Sequence, residues 1–355
     1  MIKYLLFLVS ILFTMSVKGQ NEQPVPPDDF QHYDYRYTVE ELHERFSKKI
    51  VEEARKEMKD LNKVNEMGQY KSNIKSLRTH ATPEWYLDAK LGIFFDWGLY
   101  SIAGYAKKGW SRARYPDWYL SHMLHKSKDY HEQTWGKDFR RDDFIGLFNA
   151  SNFDAKEIVR LAEHAGAKYF VPFSKHHDGF CLWDSHFTHR DVVAMNPGFD
   201  ITRQLVDACN ERGLKHGFYF SVEEYEYPVI DESGKLKVRL WSEDMAPDNA
   251  GIAKANNEFY VDFDPDKHNG LISGKIAVPD FISDYIVPQA KDFIDNYDPD
   301  ILWFDGEWQR QAEYYKTPEI VAYFYNQAEG RKQVVANDRL GQETRGKSGD
   351  FYTSE

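Results

Sequence analysis

Reactive side chains follow short apolar runs in this sequence, and the clearest case is Asp305. The run 301–304 before it shows no polar alternation, which is typical of a strand buried on both faces of a parallel sheet. Asp305 would then lie at the carboxyl end of that strand, where α/β proteins assemble their active sites. Trp303 and Trp308 flank it, so we expect its carboxylate in a partly dry, aromatic setting. The alternative is that Asp305 only caps a following helix.

Similar placements recur along the chain. Asp96 follows the apolar run 91–95, and the pair His176 and His177 follows the run 167–174. The candidate functional residues at predicted strand ends are Asp96, Asp117 with Trp118, His176, His177, Tyr219, Asp305, Arg339 and Glu355. This set contains carboxylates, imidazoles and indoles. No serine nucleophile elbow, phosphate-binding glycine loop or dinucleotide fingerprint accompanies it.

Paired carboxylates between aromatic walls are the groups that cleavage of a glycosidic bond requires. One carboxylate attacks or stabilises the oxocarbenium-like sugar carbon, and a second protonates the leaving oxygen. Indole faces can pack against the C–H surfaces of a sugar ring. The residue types therefore favour chemistry on a glycosidic bond.

The adjacent histidines permit a second interpretation, a metal site. Neighbouring residues of an extended strand point to opposite faces, so His176 and His177 are poorly placed to share one ion. The only cysteines, Cys181 and Cys209, lack the spacing of a metal site and are too few for a disulfide framework. We therefore predict no metal and no other cofactor.

These side chains need a scaffold that brings strand ends together. The apolar runs predict strands at residues 91–98, 167–174, 214–221, 300–305, 333–337 and 350–353. Helical stretches, for example 155–164, 202–212 and 288–297, lie between most of them. This alternation predicts an α/β fold, a (β/α)8-like TIM barrel with its chemistry at the carboxyl ends of the strands. Only about six strands precede the end of the sequence, so we expect a barrel that is incomplete at its C-terminus.

Residues 226–285 interrupt this alternation. The stretch 229–238 predicts a β-hairpin, and an insertion after a barrel strand is expected on the catalytic face, where it would shape substrate subsites. Asp262, Asp264 and Asp266 superficially suggest a calcium loop. Pro265 interrupts them and Lys267 stands where an EF-hand needs glycine, so we reject calcium binding.

The first 80 residues carry separate signals. Residues 1–19 combine Lys3, an apolar run and small residues before Gln20, which is typical of a secretory signal peptide. Residues 20–80 predict a proline-containing linker and an amphipathic helix that begins at a capping box formed by Thr38 and Glu41. Residues 81–355 are expected to form the catalytic barrel. We therefore expect an exported protein in the periplasm, the extracellular space or a lysosome-like compartment.

The charge of the chain excludes two classes of partner. The formal net charge is −12, the pI is near 5.6, and no basic cluster is interleaved with aromatic residues. We therefore expect no nucleic-acid partner and no membrane partner after signal cleavage. Aromatic residues make up 16% of the chain, which favours a ring-shaped ligand.

Several motifs, in this order, resemble one known family. They are Gly92-Ile93-Phe94 with Trp97-Gly98-Leu99-Tyr100-Ser101, Lys175-His176-His177-Asp178-Gly179-Phe180 with Leu182-Trp183-Asp184-Ser185, Trp303-Phe304-Asp305-Gly306, and Asn337-Asp338-Arg339. Together they resemble the α-L-fucosidases of glycoside hydrolase family 29, over about residues 85–355. The resemblance implies a retaining exo-α-L-fucosidase acting on fucosylated oligosaccharides or polysaccharides.

The resemblance also implies roles for single residues. It makes Asp305 the catalytic nucleophile and Glu355 the general acid/base, with Glu307, Glu223 and Glu224 as rivals for the second role. The residues implied to bind the sugar are Asp96, Asp117, Trp118, His176, His177, Tyr219, Trp303 and Arg339.

One departure from the family pattern leaves alternatives open. Relatives usually carry histidine where Asp96 stands, and a second anion near Asp305 would raise the pKa of the nucleophile unless a cation compensates. The same fold could therefore act on a related sugar, an α-L-galactoside or a sulfated fucose. A third alternative is a sugar-binding protein without turnover.

Overall fold

A computed structural model describes residues 30–109, 115–242, 253–255 and 258–353, the segment 253–255 by its backbone only. The predicted signal peptide and Glu355 lie outside these residues. The strands are β1 (Gly92–Phe95), β2 (Tyr169–Lys175), β3 (Lys215–Ser221), β4 (Glu226–Ile230), β5 (Leu236–Leu240), β6 (Ala253–Ala255), β7 (Glu258–Asp262), β8 (Ile301–Asp305) and β9 (Val335–Ala336).

The described helices are mostly short. They are α1 (Val39–Met67), α2 (Ile74–Leu77), α3 (Glu84–Ala89), α4 (Tyr100–Ala103), α5 (Tyr119–His122), α6 (Lys128–Thr134), α7 (Asp143–Leu147), α8 (Ala155–His164), α9 (Ile201–Arg212), α10 (Pro265–His268), α11 (Val287–Tyr297), α12 (Ala312–Tyr315) and α13 (Thr317–Ala328). Two 3-10 turns, Pro116–Trp118 and Glu307–Gln309, and a π-helical turn, Ile282–Ile286, complete the set.

The central sheet consists of five parallel strands in the order β1-β2-β3-β8-β9. Helices α8, α9, α11 and α13 lie in the connections between them, as parallel pairing requires. Along β8, Leu302 and Phe304 pack into the helix-side core, whereas Ile301 contacts the opposite face. Because side chains alternate along a strand, Asp305 lies on the same face as Ile301 and Trp303.

This arrangement confirms the predicted α/β fold with a parallel sheet and covering helices. The five described strands form an open sheet, so its closure into a barrel stays a prediction. The predicted strand at 350–353 contributes a single parallel bridge, from Phe351 to Asn337. That segment still brings Thr353 to the carboxyl end of β9.

The predicted insertion forms a small antiparallel sheet in the order β4-β5-β7-β6. The expected hairpin is present, because β4 pairs with β5 and Asp231 accepts hydrogen bonds from the turn residues Ser233 and Lys235. Asp262 pairs with Lys235 and Lys237, and Asp264 caps α10. Two of the three carboxylates that superficially suggested a calcium loop, those of Asp262 and Asp264, are thus occupied by hydrogen bonds or ion pairs.

Helix α1 begins at the expected capping box, since Thr38 accepts a hydrogen bond from the backbone of Glu41 and the Glu41 carboxylate accepts one from Thr38. Leu42, Ala54 and Leu61 are fully buried and join the core formed with α11 and α13. Helix α1 has 29 residues, yet no helix in the described part of the chain is long and apolar enough to cross a membrane.

Candidate active site

The carboxylate of Asp305 is held by one side chain from β3 and one from the segment after β9. Its Oδ1 accepts a hydrogen bond from Arg339 Nη1 at 2.7 Å, and its Oδ2 accepts one from the Tyr219 hydroxyl at 2.7 Å. The His177 Nε2 lies 3.8 Å from the same Oδ2. The side chain is 13% exposed, so a ligand can still reach it. Both oxygens are bound by side chains across the sheet, which argues against a simple helix cap.

Opposing effects act on the pKa of Asp305. Burial raises it, while the Arg339 charge, the Tyr219 hydrogen bond and the His176 charge lower it, and the net shift is upward. The cation and the phenol therefore stabilise the ionised form in a site where burial alone would favour the neutral acid. An ionised carboxylate is the form that can attack a carbon centre.

The chain turns sharply directly after Asp305. Gly306 has a φ of +94°, a conformation that residues with a Cβ rarely adopt, and an added Cβ would lie 3.2 Å from the Cβ of Glu223. This turn ends β8 and leads into the short helix Glu307–Gln309. Glycine thus leaves Asp305 as the last strand residue, with its side chain at the sheet edge.

Arg339 is positioned by the end of β9 and by the segment that follows it. The Asn337 side chain bonds to the backbone N–H and C=O of Phe304 at 3.0 and 2.9 Å, which ties the chain after β9 to the end of β8. The Arg339 Nε donates to Thr353 Oγ1 at 2.7 Å, and that threonine also bonds to Asp338. Asp305, Arg339 and Thr353 therefore form one hydrogen-bonded chain.

The two histidines follow the end of β2, and their rings lie 4.2 Å apart instead of on opposite faces of a strand as predicted, yet they have different hydrogen-bond partners. His176 Nε2 lies 3.4 Å from Asp117 Oδ2, and His177 Nδ1 lies 2.6 Å from the Ser221 Oγ. Burial lowers the pKa of His176, but its hydrogen bond to Asp117 and the charges of Asp117 and Asp96 raise it, with a net upward shift. The buried Nδ1 of His176 has no hydrogen-bond partner among the described residues, which is unfavourable unless a ligand or water provides one.

Asp96 and Asp117 both lie near His176, and their charges act on it. Asp96 accepts a hydrogen bond from the Tyr100 hydroxyl. Desolvation by its neighbours raises the pKa of Asp96, and the His176 charge and the Tyr100 hydrogen bond lower it, with a net upward shift. The charge of Asp96 is not among the main influences on the pKa of Asp305, which burial raises and Arg339 lowers, so the structure gives no sign of the predicted conflict between the two carboxylates.

The indoles form two different walls. The Trp118 ring lies 5.2 Å from the His177 ring, next to Trp241 and Trp308. The centroid of the Trp303 ring lies 4.7 Å from that of Phe94. Trp303 is on the same face of the sheet as Asp305, two residues before it on β8. Trp118 thus lines the site from the side, and Trp303 forms its floor.

Two of the rivals for the acid/base role are engaged in buried ion pairs. Glu223 binds Arg239 through two hydrogen bonds of 2.8 and 3.0 Å, and Glu224 binds Lys175 and Lys275 at 2.8 and 2.7 Å. Burial would raise the pKa of Glu224, but the two lysine charges lower it to about 2. A carboxyl with that pKa carries no proton to donate near neutral pH. Both residues instead anchor the insertion to the sheet.

We expect a Glu224→Gln variant to lose about 3–5 kcal/mol of unfolding free energy, since two buried lysines lose their counter-charge. The pKa of this group is depressed on folding, so its contribution is present above the unfolded pKa near 4.5 and is lost as the pH falls towards about 2. Denaturant unfolding at pH 7 and pH 3 measures both effects, with Glu232→Gln on the exposed hairpin turn as control. Equal stability of the two variants at pH 7 would contradict the ion-pair role.

Glu307, the third rival, is completely buried. Its Oε1 accepts a hydrogen bond from Arg345 Nε at 2.6 Å, and burial together with the Asp305 charge raises its pKa. These effects let Glu307 keep a proton to higher pH than an exposed glutamate, but the side chain is closed off from solvent, where a leaving group would lie. Glu355 lies outside the described residues, two positions after Thr353.

The geometry unites most of the predicted residues. Tyr219, His177 and Arg339 surround Asp305 directly. His176 lies near both Asp96 and Asp117, and Trp118 and Trp303 supply walls. Glu355 lies outside the described residues. Sequence reasoning missed the supporting residues Ser221, Asn337 and Trp241. Asn337 was part of a recognised motif, but neither Ser221 nor Trp241 carries a local signal, since their contacts are long-range. Within the described residues, no cluster of three or more histidine, cysteine or acidic side chains is arranged to hold a metal.

Comparisons with known proteins point to one family. The Alpha-L-fucosidase family model matches residues 58–355. The alpha-L-fucosidase of Dictyostelium discoideum is 30% identical over 295 residues, which cover 80% of this chain and 54% of that protein. The crystal structure of Thermotoga maritima alpha-fucosidase has 30% identity and a TM-score of 0.58, covering 81% of this chain and 59% of that one. The structure of that enzyme in complex with fucose has 29% identity and a TM-score of 0.57, covering 80% and 59%.

The chain spans about half the length of the curated relatives it matches. The family match nevertheless extends over every candidate residue from Asp96 to Glu355. The same range contains the parallel sheet at whose edge Asp305, Arg339 and Tyr219 meet. This match shows that the chain belongs to the α-L-fucosidase family, glycoside hydrolase family 29.

Proposed function

We propose that the protein is a retaining exo-α-L-fucosidase that removes terminal α-L-fucosyl residues from fucosylated oligosaccharides or polysaccharides. The observation that carries this proposal is the carboxylate of Asp305, held at a strand end by Arg339 and Tyr219 in a chain of the α-L-fucosidase family. The solved Thermotoga maritima relative in complex with fucose supports the choice of sugar.

In the first step, Asp305 attacks the anomeric carbon and forms a covalent glycosyl-enzyme, while an acid protonates the leaving oxygen. Arg339 and Tyr219 hold the two carboxylate oxygens, so the nucleophile enters the reaction already oriented. In the second step, water cleaves the ester with the same acid/base residue acting as base, which restores the original anomeric configuration.

Glu355 is our candidate for that acid/base. Thr353, two residues before it, bonds to Arg339 at 2.7 Å, and Arg339 bonds to Asp305. The segment leading to Glu355 is thus tied to the nucleophile by two hydrogen bonds. A retaining mechanism needs the carboxyl groups of nucleophile and acid/base about 5–5.5 Å apart. Glu355 is only two residues from Thr353, so its side chain can reach that distance from Asp305.

The sugar contacts follow from the donors and acceptors around Asp305. We assign His176, His177, Asp96 and Asp117 to hydroxyl groups of the sugar, and Trp118 and Trp303 to its apolar faces. The unpartnered Nδ1 of the buried His176 supports this assignment. Two carboxylates beside His176 favour a neutral sugar over a sulfated one, because an anionic substituent would be repelled there.

Hydrolysis of aryl α-L-glycosides tests the proposal directly. The protein expressed from its entire reading frame should release the aryl alcohol from an α-L-fucoside, with the α-anomer of fucose formed first in proton NMR. Faster hydrolysis of an aryl α-L-galactoside would favour the related-sugar alternative, for which Asp96 is the specific reason. Binding of fucose in calorimetry without any hydrolysis would show a sugar-binding protein instead.

Two further expectations belong to this proposal. The strands of the described parallel sheet neighbour one another in sequence order, as in a barrel and unlike a doubly wound sheet, so we propose that the sheet is part of a (β/α)8 barrel.

The composition of residues 1–19 supports export from the cytoplasm. Mass spectrometry of the protein from its native cells should find Gln20 at the N-terminus.

We expect the activity to need no metal. Removal of divalent ions with a chelator should leave kcat and KM unchanged, because the neighbours of Asp305 are a guanidinium, a phenol and an imidazole rather than a set of metal ligands. Elemental analysis of the purified protein gives an independent readout. Loss of activity with the chelator and its recovery on addition of zinc would contradict the expectation.

A further inference from the structure

We propose that Ser221 is a positioning residue that fixes the His177 ring in the tautomer protonated at Nδ1, so that Nε2 faces Asp305 as a hydrogen-bond acceptor. The inference rests on the proposed function for its catalytic consequence. Ser221 ends β3 directly beside Asp305 in the sheet register. It is completely buried and belongs to none of the motifs that identify the family.

The hydrogen atoms around Ser221 can be assigned from the partners. His177 Nδ1 lies 2.6 Å from Ser221 Oγ and 3.3 Å from the Glu223 carbonyl oxygen. The Ser221 hydroxyl is placed to donate its single hydrogen to that same carbonyl, and its oxygen accepts the Glu223 N–H at 3.2 Å. A carbonyl oxygen only accepts, so an unprotonated Nδ1 would face two acceptor oxygens. Nδ1 therefore carries the proton and donates it to Ser221.

The opposite edge of the ring then has a defined role. In the neutral ring, Nε2 presents a lone pair 3.8 Å from the Asp305 Oδ2. A sugar hydroxyl next to the nucleophile can donate to that lone pair. In the other tautomer, an N–H on Nε2 would point towards Asp305 and reduce the negative charge that its carboxylate has available for attack. Nε2 could then no longer accept a hydrogen bond from the sugar.

The surroundings hold this arrangement rigidly. Four aromatic rings enclose His177 with centroid distances between 5.2 and 5.8 Å, and they are those of Trp118, Tyr225, Trp241 and Trp308. A ring enclosed in this way has little room for a water that could replace the Ser221 hydroxyl. The Glu223 carbonyl is fixed as well, because Arg239 holds the Glu223 side chain through two hydrogen bonds.

The test combines a tautomer measurement with kinetics on Ser221→Ala and Ser221→Thr. Nitrogen-15 NMR of labelled histidines, with His177 assigned by its loss in His177→Gln, should show the Nδ1–H tautomer in the unaltered protein and a shift towards Nε2–H in Ser221→Ala. The kcat/KM for an aryl fucoside should fall about 10–100-fold in Ser221→Ala, the size of effect seen when the hydrogen-bond partner of a metal-binding histidine is removed. Ser221→Thr restores the hydroxyl and should recover both readouts.

Ser174 provides a matched control, since its buried hydroxyl donates to the Tyr219 carbonyl at 2.6 Å and Ser174→Ala removes a hydrogen bond of similar kind. This variant should leave the His177 signals unchanged. An Nε2–H tautomer or a ring protonated at both nitrogens in the unaltered protein, or unchanged His177 signals in Ser221→Ala, would overturn the inference. The tautomer of the unaltered protein is decisive even if Ser221→Ala does not fold, and it is measured whether or not the protein hydrolyses fucosides.

Discussion

An Asp305→Ala variant is expected to lose at least about a thousandfold in kcat, the size of effect seen when a covalent nucleophile is removed. Asp305 is the carboxylate that Arg339 and Tyr219 orient, and no described side chain can replace it from the same position. Initial rates with an aryl α-L-fucoside measure the loss. External azide should partly restore turnover and yield a fucosyl azide, because the alanine leaves space beside the anomeric carbon.

An Asp305→Asn variant serves as the matched control, since it keeps the size of the side chain and removes its charge. It should be equally inactive but resist rescue by azide, because the amide still fills the space. Circular dichroism and the unfolding midpoint should show that both variants are folded. Near-normal turnover by either one would refute the assignment of the nucleophile.

The second large effect concerns Glu355, which we expect to be the general acid/base. In Glu355→Ala, glycosylation by a fucoside with an activated aryl leaving group should be barely slowed, since that group departs without a proton. Poor leaving groups should react about 10²–10⁴-fold more slowly, the usual range for loss of general acid catalysis. Pre-steady-state bursts with a series of aryl fucosides separate the two cases.

The comparison variant is Glu307→Ala. Glu307 is completely buried and bonded to Arg345, so its removal should lower stability and slow all leaving groups alike. If Glu307→Ala instead shows the dependence on leaving group and Glu355→Ala does not, the acid/base lies on the turn after β8. A pH–rate profile that loses its basic limb only in Glu355→Ala would agree with our assignment.

The parts of the site that follow strand periodicity could be predicted from sequence. Asp305 follows an uninterrupted apolar run, and parallel strands deliver such residues to one edge of the sheet. The contact between Asp305 and Arg339, separated by 34 positions, follows from that rule. The prediction was wrong for His176 and His177, which were expected on opposite faces of an extended strand: both follow the end of β2, and their rings lie 4.2 Å apart.

The parts that depend on distant charges could not be predicted. Glu223 and Glu224 also follow a buried strand, and sequence alone leaves them as acid/base rivals. Their cations, Arg239 and Lys275, come from the insertion, 16 and 51 positions later, and no local pattern indicates which acid each one will meet. The Ser221 contact with His177 spans 44 positions, and no local sequence pattern predicts it either.

Covalent trapping of the nucleophile tests the central claim most directly. A 2-deoxy-2-fluoro-α-L-fucoside with a good leaving group should form a slowly hydrolysed glycosyl-enzyme, because the fluorine destabilises the oxocarbenium-like transition state. After digestion of the protein, mass spectrometry should locate one added fluorofucosyl group on Asp305. A label on Glu307 or on any other carboxylate, or turnover without any labelled intermediate, would contradict the account.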